Sequence, residues 1–440
     1  SSNYAIHTDT MMNVTQAFRG SILYFTGDPQ CDDQAVVWHE DGLLLLNGET
    51  IVASGAYARL RDKLPEHISL TDYSGKLIMP GFVDTHVHYP QTDIIASPAE
   101  GLLPWLETYT FPAESQFGDH EYAQEVAAFF LDELLKNGTT TAMVYSTVHK
   151  ESADAFFGIS HQRNLRMVTG KVLMDRNCPD YLQDTAESGA RDSEDLIRKW
   201  HGRGRQLYAL TPRFAPCSTT EQLGLTGELA RQYPDTFIQT HVAENKDECA
   251  WARSLFPSAR SYLDIYDQFG LMRERAMYAH CIWLDETDTR RMAETGSAIS
   301  VCPTSNLFMG SGLFDFSSAE QHQVRLSMAT DVGGGTSFSM LQTMNEMYKI
   351  ARMNGYHLSA LRMFYYATLG GARAMRLEHQ IGTLQAGTEA DFIVLNPKAT
   401  PLLSRRTENA DSLEEMLFAI AMLGDDRVIE ATYAAGTRQK

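Results

Sequence analysis

The sequence predicts an α/β fold: a (β/α)8 barrel of the TIM type with a small β-sandwich domain built from the N- and C-terminal segments. Three observations lead there. Eight apolar, β-branched runs recur between Pro80 and Leu369, each followed by polar loop residues and a stretch with helical periodicity. The spacing is roughly 36 residues per unit, the size of a strand, a helix and their loops. Before Met79 and after Gly382 the rhythm changes to short alternating runs broken by turn residues. The expected division is residues 1–79 with 376–440 as the composite β domain and 80–375 as the barrel.

Taken in order, the opening β unit runs from Ser21 to Met79, and Asn47-Gly48 within LLLLNGETIVASG marks a hairpin. The first barrel strand is KLIMPGFVDTHVH. The helix in DHEYAQEVAAFFLDELLKNG has Asp119 as N-cap, an apolar stripe of Val126, Phe129, Phe130 and Leu134, and a stop at Asn137-Gly138. The remaining strands are TTTAMVYST, RMVTGKVLM, QLYALTPRFAP, TFIQTHVAE, RAMYAHCIWL, SAISVCPTSN and VRLSMATDVGGG. Their near-continuous apolar character suits a parallel sheet covered by helices. Strand count alone leaves an open doubly wound sheet as the competing arrangement. The chain closes with GTLQAGTEADFIVLN and RVIEATYAAG, read as strands that join the opening unit.

Composition narrows the partners. With 43% hydrophobic and 21% charged residues over 440 positions, the chain is globular with a substantial core. A net charge of −19 repels phosphate backbones and anionic bilayers, so neither nucleic acid nor a membrane is an expected partner. Six scattered cysteines without a C-x-x-C pair fit a reducing compartment. Ser1 to Thr10 carry no basic-then-apolar leader, so a cytoplasmic protein is expected.

Barrels of this kind carry their reactive groups at the C-terminal ends of the strands. The first strand ends in His86-Val87-His88, and residues i and i+2 of a strand project to one side, so two imidazoles converge. The fifth strand ends in His241, the sixth in His280 and the eighth in Asp331. Four histidines and an aspartate on strand ends make a nitrogen-rich divalent metal site. A single strand histidine is more often structural; the coincidence across four strands is what favours a metal. His7, His39, His149, His161 and His322 are assigned to surface or structure. Glu244 follows His241 by three residues, where a carboxylate can reach a metal-activated water and shuttle protons without ligating the ion. The motifs H-E-x-x-H, G-x-S-x-G, G-x-G-x-x-G, a Walker A loop and the H-x-E with P-C-x-x-C pair are all absent.

With PGFVDTHVHYPQ, the two later histidines and ATDVGGGTSF in place, the chain resembles the amidohydrolase superfamily from about Gly42 to Gly436. The segments LLPWLETYTFPAE, LTPRFAP, THVAENKDE, CPTSNLFMGSGLF and LGDDRVIEATYAAG are similar to its guanine-deaminating members. That resemblance implies one Zn2+ per chain held by His86, His88, His241 and Asp331. It implies that His280 binds the attacking water, that Glu244 is the proton shuttle and that Asp331 also acts in catalysis. It places a purine against Gln91, Arg213 and Phe214, beside His88, His241, Glu244 and Asp331, and it implies a homodimer. Arg213 would donate to the purine carbonyl oxygen, with a rim salt bridge as the alternative, and Gln91 would offer a donor and an acceptor to the lactam edge. Phe214 could be core. The fourth strand has no lysine to bridge two metals and Lys171 lies on the third, which favours a mononuclear centre; Cys302 reads as a buried thiol. Gly333 to Gly335 read as a tight turn. Rival substrates are 8-oxoguanine, a pterin or an s-triazine, and a rival of another class is a non-catalytic scaffold.

Overall fold

The computed structural model describes residues 13–440; His7 lies outside the described residues. The opening strands are β1 (Gln16–Phe25), β2 (Val36–Asn47), β3 (Thr50–Ala56) and β4 (Leu70–Pro80). The barrel strands are β5 (Phe82–His88), β6 (Thr139–Tyr145), β7 (Arg166–Gly170), β8 (Val172–Leu173), β9 (Leu207–Pro212), β10 (Phe237–Val242), β11 (Ala276–His280), β12 (Ala298–Val301) and β13 (Arg325–Met328). The chain ends with β14 (Phe392–Leu395), β15 (Ile429–Ala434) and β16 (Thr437–Arg438).

Each of the eight predicted runs contains a barrel strand, but the first is divided at Gly81, its residues 76–80 lying in β4 of the small sheet, and the third is broken at Lys171 into β7 and β8. Neighbours pair in parallel in the order β5, β6, β7, β9, β10, β11, β12, β13. The cylinder closes where the residues after β13 meet β5: Asp331 N donates to His86 O at 2.9 Å and His88 N to Val332 O at 2.8 Å. That closure decides against the open doubly wound sheet.

The interior follows the two-residue period of the strands. Val83, Met143, Val168, Ala209, Phe237 and Met277 form an apolar floor, sealed from below by Met375, Leu377 and Ile381. Above it, Thr85 Oγ1 meets Ser327 Oγ at 2.7 Å and Ser300 Oγ at 2.9 Å, and Gln239 Nε2 donates to Thr211 Oγ1 at 3.1 Å. Two residues beyond Thr211 and Gln239 stand Arg213, just past β9, and His241 on β10, and four residues beyond Ser327, past the end of β13, stands Asp331. On β5 the pairing register shifts between Asp84 and Val87. This irregularity lets His86 and His88 face the mouth although Val83 and Thr85 already face inward.

The helix expected after Asp119 spans His120–Lys136, with Asp119 accepting from Glu121 N and Tyr122 N. Gly138, at φ 84°, takes the left-handed stop position that other residues avoid. The apolar stripe needs one correction. Phe129 is 57% exposed, and the buried face comprises Ala123, Val126, Ala127, Phe130, Leu131, Leu134 and Leu135.

The two ends of the chain form a separate small sheet in the order β16, β15, β14, β4, β1, β2, β3, antiparallel except between β1 and β4. The predicted hairpin joins β2 to β3. Between Gly382 and Asn396 only β14 is a strand; the rest turns. Two helices unforeseen from sequence, Pro401–Glu408 and Leu413–Leu423, lie between β14 and β15; the second packs on barrel helices Met340–Met353 and Ala360–Tyr365 and the first packs on the second. A single residue, Gly81, separates β4 from β5, and Arg205 ties the barrel floor to Glu389 at 2.7 Å and Asp391 at 2.8 Å. Among the described residues no helix is long and apolar enough to cross a membrane.

Candidate active site

The predicted histidines and Asp331 meet at the barrel mouth. His88 Nε2 lies 3.3 Å from His86 Nε2 and 3.3 Å from His241 Nε2. Asp331 Oδ1 stands 3.1 Å from His86 Nε2 and 3.4 Å from His88 Nε2. His241 Nδ1 donates to the Arg213 carbonyl at 2.6 Å, which leaves the Nε2 lone pair of the neutral ring facing the cluster. Burial drives His88 down to about 3 and His241 well below the usual imidazole value, so both rings are neutral. Burial opposes the charge of Asp331, but His86, His88 and His280 outweigh it and hold its carboxyl well below the ordinary range.

Converging imidazole nitrogens beside one ionised carboxylate are a donor set that suits zinc. One ligand atom each from His86, His241, His280 and Asp331 lies within 4.8 Å of the others, and His88 shares the same space. His280 differs in its partners. Its Nδ1 faces Asn306 Oδ1 at 2.8 Å, and its Nε2 lies 2.8 Å from Glu244 Oε1 without the alignment of a hydrogen bond. Burial would lower this imidazole, but the carboxylates of Glu244 and Asp331 raise it to about 9. Lys171 Nζ is committed to Asp184 at 2.5 Å and to Val172 O.

The backbone at this rim is bent to aim these groups. Ala243, His280, Cys281 and Asp331 all have positive φ, at 52°, 78°, 52° and 51°. Such conformations cost about 1–3 kcal/mol each and persist where surrounding structure holds them. Gly335 makes the turn after Asp331, since a Cβ there would sit 1.8 Å from Thr330 O. The glycine run is therefore a tight turn, as read.

A cavity opens beside the cluster, lined by His88, Gln91, Leu102, Trp105, Leu106, Arg213, Phe214, His241, Glu244, Glu248, Ser305, Met309, Asp331 and Gly334. Every sequence-assigned substrate residue is in that lining. Gln91 Oε1 already accepts from Gly333 N at 2.9 Å, so its amide group is the part left to face a ligand. That trims the expectation of an equal donor and acceptor. Arg213 lines the cavity and forms a two-pronged ion pair with Glu114 at 2.8 and 2.9 Å, the salt bridge weighed as its alternative role. Phe214 packs edge-on to Trp251 and also reaches the cavity.

A model of the amidohydrolase family matches residues 77–438. The chain belongs to the amidohydrolase family. As a member it is similar to the guanine deaminase of Escherichia coli K12, with 49% identity over 424 residues, 96% of this chain and 97% of that one. The solved E. coli guanine deaminase matches with a TM-score of 0.94 over 96% of this chain and 99% of that one. The structure of the guanine deaminase from C. acetobutylicum with bound guanine matches at 27% identity and a TM-score of 0.86, covering 96% and 99%.

Sequence reasoning missed four supporting residues of this family member's site. Asp84 is fully buried and accepts from Thr330 N at 3.1 Å and Thr330 Oγ1 at 2.5 Å, joining β5 to the end of β13; burial lifts it to about 7. Asn306 holds His280. Glu248 accepts from Glu244 N at 3.1 Å and from Tyr262 OH at 2.6 Å, which fixes the Glu244 loop. Glu114 is the partner of Arg213. All four sat inside segments quoted for the resemblance, PGFVDTHVHYPQ, LLPWLETYTFPAE, THVAENKDE and CPTSNLFMGSGLF, but no role was read for them; for Asp84 the available signal was a carboxylate two residues before a ligand.

Proposed function

We propose that this enzyme is a zinc-dependent hydrolase that converts guanine and water to xanthine and ammonia, with one zinc per chain. The observation that carries the reading is the His86, His88, His241 and Asp331 cluster opening into a slot whose wall holds Glu244, Gln91 and Arg213. Similarity to guanine deaminases over nearly the whole chain supports it. Zinc held by those four residues would bring the pKa of a coordinated water to about 7. Lys171, engaged by Asp184, leaves no bridging lysine for a second ion, which supports a mononuclear site.

The residues around the cluster divide the proton work. Glu244 takes a proton from the attacking water and delivers it to the ring nitrogen next to C2 as the carbon–oxygen bond forms. His280, next to both Glu244 and Asp331, orients that water. Asp331 passes the remaining proton to the exocyclic amine, the C2–N bond breaks, and ammonia leaves. Arg213 and the Gln91 amide donate to the carbonyl edge of the purine, with Phe214 against its ring. Adenine presents an amine where guanine has the oxygen, so the buried donors would be left unpaired and adenine rejected. From the family resemblance we further take the enzyme to act as a homodimer, and from its six scattered cysteines without a C-x-x-C pair to work in the reducing cytoplasm.

The test is an ammonia-release screen over guanine, 8-oxoguanine, adenine, cytosine and pterins, run beside metal analysis of the purified enzyme. Guanine should be preferred and zinc should approach one per chain. No ammonia from guanine, or adenine as the better substrate, overturns the assignment; two ions per chain overturn the mononuclear centre.

A further inference from the structure

Residues 102–114 form the roof of the cavity. They comprise helix Leu102–Trp105, a wide π turn over Leu106–Thr110 and helix Phe111–Glu114, and they turn Leu102, Trp105 and Leu106 toward the cavity. Single π turns recur at functional sites because they redirect side chains without ending a helix. At the end of this roof, Glu114 is 1% exposed and reaches Arg213, which is 3% exposed. Nη1 and Nη2 of Arg213 meet the two carboxylate oxygens, and the Phe111 ring centroid lies 5.2 Å from the guanidinium carbon.

We propose that Glu114 is a positioning residue for substrate recognition: it fixes the plane of the Arg213 guanidinium so that the remaining N–H groups meet the carbonyl oxygen of a purine. This rests on the guanine reading above. A guanidinium carries five N–H donors, and a two-point carboxylate contact engages two of them while removing rotation about the Arg213 side chain. The others project from the same rigid plane at the cavity wall. As a stabilising device alone, a buried ion pair is a poor choice, because desolvation offsets most of the attraction and an apolar pair of similar volume does as well. A direction-setting role accounts for its placement. It also joins roof and substrate, since the element that lies over the bound purine carries the carboxylate that aims the guanidinium.

The test compares inhibitors with and without the oxygen. Inhibition constants for hypoxanthine, which carries the carbonyl, and purine, which does not, are measured against guanine turnover in the zinc-loaded enzyme and in its Glu114→Gln form. The hypoxanthine constant should rise by about 10- to 100-fold while that of purine changes by less than about threefold. On an Arg213→Ala background the Glu114→Gln change should add nothing to that ratio. Equal increases for both inhibitors, or a ratio of the hypoxanthine to the purine constant that stays at the parent value, overturn the role of Glu114. If Glu114→Gln does not fold, Glu114→Asp, which withdraws the carboxylate by one methylene, is read by the same ratio. Failure of the unaltered enzyme to release ammonia from guanine would instead defeat the functional reading itself.

Discussion

Replacing Glu244 by Gln isolates proton transfer from every other property of the site. Glu244 is 3% exposed, its backbone N–H is held by Glu248 at 3.1 Å, and Glu248 is itself held by Tyr262 at 2.6 Å. Glutamine keeps the volume and all of these anchors, so the side chain stays beside His280. What disappears is the oxygen that accepts a proton from water and returns it to the ring. One positioned acid–base group contributes about 10²–10⁴ in rate, and both transfers pass through this one. The expected loss in kcat is therefore at least about 100-fold, or about 2.7 kcal/mol in barrier. Steady-state ammonia release from guanine gives kcat and KM; zinc content and Tm are measured on the same preparations. Zinc should be retained and KM should move only a few-fold. Turnover within tenfold of the parent removes Glu244 from the proton path, and loss of zinc in step with activity makes it a ligand instead.

Two further outcomes concern stability. Burial opposes the charge of Glu389, but Arg166 and Arg205 outweigh it and hold its carboxyl below its ordinary value of 4.5. Because the folded value lies below the unfolded one, this stabilisation is complete above the unfolded value and fades as pH falls through the folded one. Glu389→Gln should therefore cost about 1–2 kcal/mol near neutrality, less in acid, and a Tm gap that is constant across pH would refute the linkage. On helix His120–Lys136, Phe130→Ala should cost about 3–5 kcal/mol in denaturant unfolding and Phe129→Ala less than about 0.5; comparable losses would restore the original stripe.

Much of the architecture was legible because barrel strands announce themselves twice, by an apolar run and by the polar residue at its end. His86, His88, His241, His280 and Asp331 could be placed at one mouth without coordinates for that reason. Phe129 failed because adjacent helix residues point about 100° apart, and the phase of the stripe is set by what the helix packs against rather than by its own composition. Glu114 and Asn306 were invisible for a related reason: their partners lie 99 and 26 residues away, and the contact leaves no local pattern. The bend in β5 that lets Thr85 and His86 both face inward is likewise a product of pairing with β6. The helices at 401–423 lay between two strand signals; the second took its place from the barrel helices it covers, and the first from the second.

The seam between the small sheet and the barrel bears on how the chain is made. β4 leads through Gly81 straight into β5, yet one edge of β4 pairs with β14, where Phe392 faces Pro80, a partner about 310 residues later. During synthesis that edge stays open until β14 has left the ribosome. A row of unsatisfied amides and carbonyls thus waits next to the strand bearing His86 and His88, exposed to any passing β segment. Maturation should be slow, and removing residues 391–440, which takes away β14, β15 and β16, should yield aggregates rather than a smaller working enzyme.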